Sequence, residues 1–245
     1  MLFTPQVSGS HTSKSNKILA IGDSFFDYKA KPCYQLPAAK DIIFWPEIIA
    51  NELNAQIDIV GYSGADNEYI FKRLLDHTNE VDYDLVIVNW TQLWRFTIQD
   101  LDHHVSANYL PSKIKHNDEA FVSDQEWMMD IYQILFYETN FFCWENIRIR
   151  TQRVIDTIKK MFPNSIQVWG PEPIDHSHVE KFDLSGFRNR FDIHNRKNIN
   201  FRVAQWCHDQ KNHDKYFCGP RDGHPNTFAN QEIAKIMMPK VKEML

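Results

Sequence analysis

A serine, a histidine and an aspartate that a fold can bring together form the side-chain set of acyl-transfer chemistry, and this chain offers one such set. Ser24 sits in KILAIGDSFFDY, directly after an apolar run, while Asp222 and His224 fall together in DGHPN far downstream. A serine hydroxyl is a weak nucleophile until a base takes its proton, and histidine has the suitable pKa. The histidine in turn needs an acceptor that fixes its tautomer and stabilises the imidazolium, a place open to Asp222. Backbone N–H groups at Ser24 and Gly64 can hold a developing oxyanion, since glycine lets a carbonyl oxygen approach closely. Gly22-Asp23-Ser24 on its own is equally ordinary turn chemistry.

The elements that would position these residues follow from apolar patterning. Strands are expected over residues 17–21, 56–60, 83–90 and 165–169, with a short fifth at 216–217; YDLVIVNW is the strongest of them, a β-branched run suited to a sheet covered on both faces. Helical spacing appears over 45–53, 66–77, 124–138, 140–161, 199–209 and 226–245, the last containing Pro239. Alternation of the two implies an α/β three-layer sandwich around a central parallel sheet. The expected organisation is a lead-in over 1–16 and one domain over 17–245, with a helical insertion at about 99–162 between the third and fourth strands. The insertion carries Trp127, Tyr132, Phe136, Tyr137, Phe141, Phe142 and Trp144, which suit a cap, a subunit contact that would make a homo-oligomer, or additional core. Ligands of open parallel sheets bind at the carboxyl ends of the strands. Here those ends read Gly22-Asp23-Ser24, then Gly61-Tyr62-Ser63-Gly64 leading to Asp66-Asn67, then Asn89-Trp90-Thr91-Gln92.

In these blocks the chain resembles the SGNH hydrolases, the GDSL-type esterases and acetylhydrolases. Gly22-Asp23-Ser24 matches the nucleophile block, with Phe25 where leucine is usual; Gly64 and Asn67 match the G-x-x-N block; Asp222 and His224 match the terminal block. The resemblance implies a flavodoxin-like sandwich and ester hydrolysis with neither metal nor cofactor. It implies Ser24 as nucleophile, His224 as base and Asp222 as its orienter. The oxyanion hole would be built from the Ser24 and Gly64 amides and one side chain. Asp23, Asn67, Trp90 and Arg95 are candidate substrate contacts. Two blocks depart from the pattern. Thr91 stands where the family's oxyanion asparagine is expected, with Asn89 or Gln92 as substitute donors, and loss of one donor can cost ~10²–10³ in rate. Asp222 lies two residues before the histidine, where three is usual. A Trp-Thr variant with a downstream arginine, here Arg95, resembles a divergent branch of phage and polysaccharide-locus proteins.

Rival sites are present. Gly61-Tyr62-Ser63-Gly64-Ala65 nearly spells the G-x-S-x-G elbow, but only one strand precedes the strand that leads into Ser63, and the last glycine is alanine. Histidines in DHH (102–104), HSH (176–178) and at 208 and 213 lack the i, i+4 pair with a third carboxylate that a zinc hydrolase shows. Glu172, after the fourth strand, is a further cleft candidate.

Composition narrows the classes. A net charge of −5 in 245 residues argues against a nucleic-acid surface, the diluted basic stretch 187–202 being the one candidate patch. Four widely spaced cysteines suggest free thiols in a reduced compartment. With no run approaching a membrane span or signal segment, the expected location is cytosol, of a cell or of an infected host. The leading expectation is a serine esterase acting on an acyl ester, O-acetyl above all, of a carbohydrate or other small substrate. The alternatives are a binding or structural module on the same sandwich, and an acyltransferase using the same triad.

Overall fold

A computed structural model of the chain describes residues 15–27, 42–62, 65–91, 95–99, 104–108, 144–170, 198–210, 212–219 and 222–245. Five parallel strands form its sheet: β1 (Lys17–Gly22), β2 (Gln56–Gly61), β3 (Leu85–Trp90), β6 (Ser165–Trp169) and β7 (Phe201–Arg202). Their order is β2-β1-β3-β6-β7. The chain steps from β1 outward to β2, then crosses back to place β3 on the other flank of β1. That reversal is the switch point of a doubly wound, flavodoxin-like sheet, where a crevice opens at the carboxyl edge.

Strand alternation sends side chains to two cores. Ile18 and Ala20 of β1, Leu85 and Ile87 of β3, and Ile166 and Val168 of β6 pack on one face. Against them lie α1 (Trp45–Leu53), α4 (Val203–Asp209) and α6 (Thr227–Met244). Leu19, Ile21, Val86, Val88, Trp90 and Trp169 pack on the other face with α2 (Asn67–Glu80) and α3 (Trp144–Met161). Burial of β1, β3 and β6 on both faces is why these strands read as continuous apolar runs. Gln167 of β6, a fully buried polar side chain, is paired at both ends of its amide. It accepts from the Trp90 indole N–H at 2.9 Å and donates to the Ile155 carbonyl at 3.0 Å, tying α3 to the sheet.

Helix ends follow local chemistry. Pro46 opens α1, and Asn54 closes it in the left-handed region at φ 50°. Asp66 caps α2 by accepting from Tyr69 N–H at 2.7 Å. At the lower rim Tyr83 donates to Asp58 at 2.8 Å; burial first, then this partner, holds its phenol well above the ordinary range.

Three expectations are corrected. The fifth strand of the sheet is β7, at the start of the segment expected to be wholly helical. Residues 217–219 (β8) instead pair antiparallel with β9 (Asp222–Pro225), because only Pro220 and Arg221 separate the two and a local ribbon closes before the chain can reach the sheet. The insertion does not begin irregularly or as helix: β4 (Arg95–Gln99) and β5 (His104–Asn108) form an antiparallel pair. The expected helix at 124–138 and the aromatics from Trp127 to Phe142 lie outside the described residues.

α5 (His213–Tyr216) and α6 bracket the β8–β9 ribbon. Asn230 of α6, 3% exposed, accepts from Trp45 N–H at 3.0 Å and donates to the carbonyls of Pro225 and Asn226 at 3.2 and 3.0 Å. It joins the first turn of α1 to the end of β9. Asn230→Ala takes the acceptor from the buried Trp45 N–H and one donor from the Pro225 and Asn226 carbonyls, and is expected to lower unfolding free energy by about 1–3 kcal/mol in urea titration, with the slope unchanged.

Candidate functional site

β1 ends at Gly22, and the chain turns at once. Asp23 caps a single 3-10 turn, Ser24–Phe26, its Oδ1 accepting from Phe25 N–H at 3.1 Å while its carbonyl accepts from Phe26 N–H at 3.0 Å. The turn returns over the end of β2. A Cβ on Gly61 would lie 2.2 Å from the Asp27 nitrogen, so the close approach demands glycine there. Phe25 and Phe26 plug into the core beneath, and Ser24 itself is 7% exposed.

His224 arrives from the opposite end of the sequence on β9. Its loop is stapled by Asn226, whose Nδ2 donates to the carbonyls of Lys215 and Phe217 at 2.9 and 3.1 Å. The same side chain caps α6 through Ala229 N–H at 3.0 Å. The Phe25 ring lies against the imidazole with centroids 5.0 Å apart and planes at 46°. The outcome is a Ser24 Oγ to His224 Nε2 distance of 2.8 Å across 200 residues of sequence. With Nε2 unprotonated, this is the geometry of a hydroxyl donating to the base that would deprotonate it.

The third strand end is built around two asparagines. Asn67, at the start of α2 and 5% exposed, accepts from Thr91 N–H at 2.8 Å and donates to the Thr91 carbonyl at 3.2 Å. The amide thus copies a backbone partner and pins the chain as it leaves β3. Asn89 is fully buried, and its Nδ2 donates to Asp23 Oδ1 at 2.9 Å.

Several candidates therefore take different places from those expected. Asp23 is fully buried and engaged with Phe25 and Asn89, and shapes the turn. Trp90 is a core residue bonded to Gln167 and lines no cleft. Asn67 is spent on the Thr91 backbone, and Asn89 is turned toward Asp23, away from an oxyanion role. Thr91 is fully buried. Gly64, Gln92, Glu172 and the rival Ser63 lie outside the described residues, as do the side chains of Asp222 and Arg95, of which the structure describes the strand backbone alone. His103, His176 and His178 also lie outside; His208, whose ring is 4.8 Å from that of Phe217, is pushed below its usual pKa by burial. Neither Asn230 nor the Phe25–His224 contact was foreseeable from spacing.

No protein-family model matches the chain, and no curated protein matches it. Solved structures do. One is a protein from Desulfitobacterium hafniense assigned to the G-D-S-L family of lipolytic proteins, at 12% identity and TM-score 0.44, covering 94% of this chain and 100% of its own. Another is an alpha/beta hydrolase from the metagenome of Lake Arreo, at 14% identity and TM-score 0.47, covering 94% and 96%. A third is a catalytic mutant of an acetylxylan esterase from Geobacillus stearothermophilus, at 11% identity and TM-score 0.45, covering 92% and 94%.

The Asn67 clamp has a measurable consequence. Asn67→Ala removes both bonds to a buried peptide group and is expected to cost about 1–3 kcal/mol by chemical denaturation. Asn67→Asp keeps the acceptor for Thr91 N–H but sets a carboxylate oxygen against the Thr91 carbonyl, so it should be no more stable than the alanine variant at neutral pH.

Proposed function

We propose that the chain is a serine esterase that removes an acyl group, such as acetyl, from a carbohydrate or other small ester, with Ser24 as nucleophile and His224 as base. The observation that carries this reading is the 2.8 Å contact between Ser24 Oγ and His224 Nε2, placed at the sheet's switch point. Turn serines are common, but one aimed at an imidazole from a strand 200 residues away is the product of long-range construction.

In this mechanism His224 takes the Ser24 proton as Oγ attacks the acyl carbon. The carbonyl oxygen becomes an oxyanion held by the Ser24 and Gly64 amides, with Gln92 as the third donor. Collapse expels the alcohol, protonated by the imidazolium, and leaves an acyl-Ser24 ester. Water, deprotonated by the same His224, attacks that ester and releases the acid and free Ser24. Asp222 is assigned to hold the imidazole through Nδ1 and to stabilise its cation. The Phe25 ring restricts the imidazole to an orientation that serves both half-reactions.

The test is p-nitrophenyl acetate turnover together with labelling by a fluorophosphonate. Wild type is expected to do both. Ser24→Ala should lose labelling completely, and His224→Ala should lower kcat by roughly 10⁴-fold or more. Equal labelling and turnover in Ser24→Ala would remove Ser24 from the mechanism.

A further inference from the structure

We propose that Asn89 is a positioning residue for the Ser24 turn, acting through the carboxylate of Asp23; the inference rests on the reading of Ser24 as nucleophile. Strand β3 runs Leu85-Val86-Ile87-Val88-Asn89-Trp90, fully apolar but for this one side chain. By alternation Asn89 shares the face of Leu85 and Ile87, where a valine would complete the core. The amide is instead buried without exposure, its Nδ2 donates to Asp23 Oδ1, and among the described residues its Oδ1 has no hydrogen-bond partner. A buried, half-satisfied amide is disfavoured unless its one bond does something an aliphatic side chain cannot.

The sheet is carved to hold that amide. Gly22 stands opposite Asn89 in register, and a Cβ there would lie 2.7 Å from the Asn89 Cβ and 2.8 Å from its carbonyl oxygen. Gly170, just past β6, flanks the other side, where a Cβ would lie 2.5 Å from Nδ2 and 2.8 Å from Oδ1. Two glycines thus leave a slot into which the amide fits and from which it has little room to rotate. The oxygen it grips, Asp23 Oδ1, is the same atom that accepts from Phe25 N–H. Asn89 therefore fixes the rotamer of Asp23, Asp23 fixes the first bond of the 3-10 turn, and the turn fixes where Ser24 Oγ meets His224. The role resides in a donor aimed at the turn, and it differs from the oxyanion role that the strand-end position suggests.

Asn89→Ser and Asn89→Asp are compared with wild type and with Val88→Ala, a control for plain loss of core on the same strand. Both Asn89 variants are expected to lower kcat and the fluorophosphonate labelling rate by about 10²-fold, the cost of a misplacement near 1 Å, with KM within about threefold of wild type. Val88→Ala should lower Tm and leave kcat as it was. Asn89→Asp carries a second signature. At neutral pH its carboxylate opposes that of Asp23, while at lower pH the pair takes up a shared proton whose O–H restores the missing donor. The ratio of its labelling rate to that of wild type should therefore rise from about pH 8 to about pH 5.

Crystal structures of wild type and Asn89→Ser give the Ser24 Oγ–His224 Nε2 separation, a readout independent of turnover. Wild-type kcat together with an unmoved Asp23 and Ser24 in Asn89→Ser would overturn the proposal. A wild-type protein that neither turns over nor labels would overturn the esterase reading, while displacement of Asp23 in the variant crystal would still decide the positioning role. Should Asn89→Ser not fold, Gly170→Ala presses on the same amide from the other side and carries the same kinetic and distance readouts.

Discussion

The site depends on one level line across the sheet. Gly22 stands in register with Gly61 of β2 on one side and with Asn89 of β3 on the other. Because the three strands end together, the turn after β1, the approach to α2 and the exit from β3 emerge at the same height. A strand slipped by one residue would send every core side chain to the wrong face. The two apolar clusters therefore enforce the register, and the register sets the geometry of the crevice. Glycine at 22 and 61 is then a consequence: the first must admit the Asn89 side chain, the second the returning backbone of Phe26 and Asp27.

Energetically the carboxyl edge is the most polar part of an otherwise dry interior. Asp23, Asn67, Asn89, Thr91 and Asn230 are all buried, and their side-chain hydrogen bonds described above run to backbone groups or to another member of the set. Side-chain amides suit this work because they donate and accept without the desolvation cost of a charge. Leaving one such group half-paired typically costs about 1–3 kcal/mol, comparable to burying an aliphatic side chain. Placing asparagine where valine would pack trades stability for a fixed donor, a trade natural proteins make chiefly where geometry matters more than stability.

The elements were legible in the sequence where packing is repetitive. α1 spans the residues its apolar spacing marks, and β6 and the termini of β1, β2 and β3 fall within two residues of the patterned runs. The blocks at the strand ends pointed to Ser24 and His224, which the fold brings together. What periodicity does not carry is the destination of a side chain at a strand end. Trp90 was expected at the crevice, yet its alternation partner Val88 already places it in the second core. Asp23, Asn67 and Asn89 were named as ligand contacts or donors from their position, but their hydrogen bonds run inward, to groups 2 to 66 residues away. Short strands fare worst: β7 has two residues and β8 three, too few for a pattern to form.

Ser24 and His224 come from opposite ends of the chain, yet they do not depend on two independent supports. Phe25 and Phe26, which seat the serine turn, belong to the same buried cluster as Phe217 and Cys218 of the β8 strand and Ala229 of α6, which seat the histidine. Asn230 adds a polar tie from α6 to both the end of β9 and the first turn of α1. The separation of hydroxyl and imidazole is therefore a property of one packed unit at interior density, which resists deformation as a whole. Under the proposed reading, such a unit sets the serine and the imidazole before any ligand arrives, the condition under which positioning lowers a barrier at no further entropic cost. On this argument the turn and the ribbon are the fixed parts of the crevice.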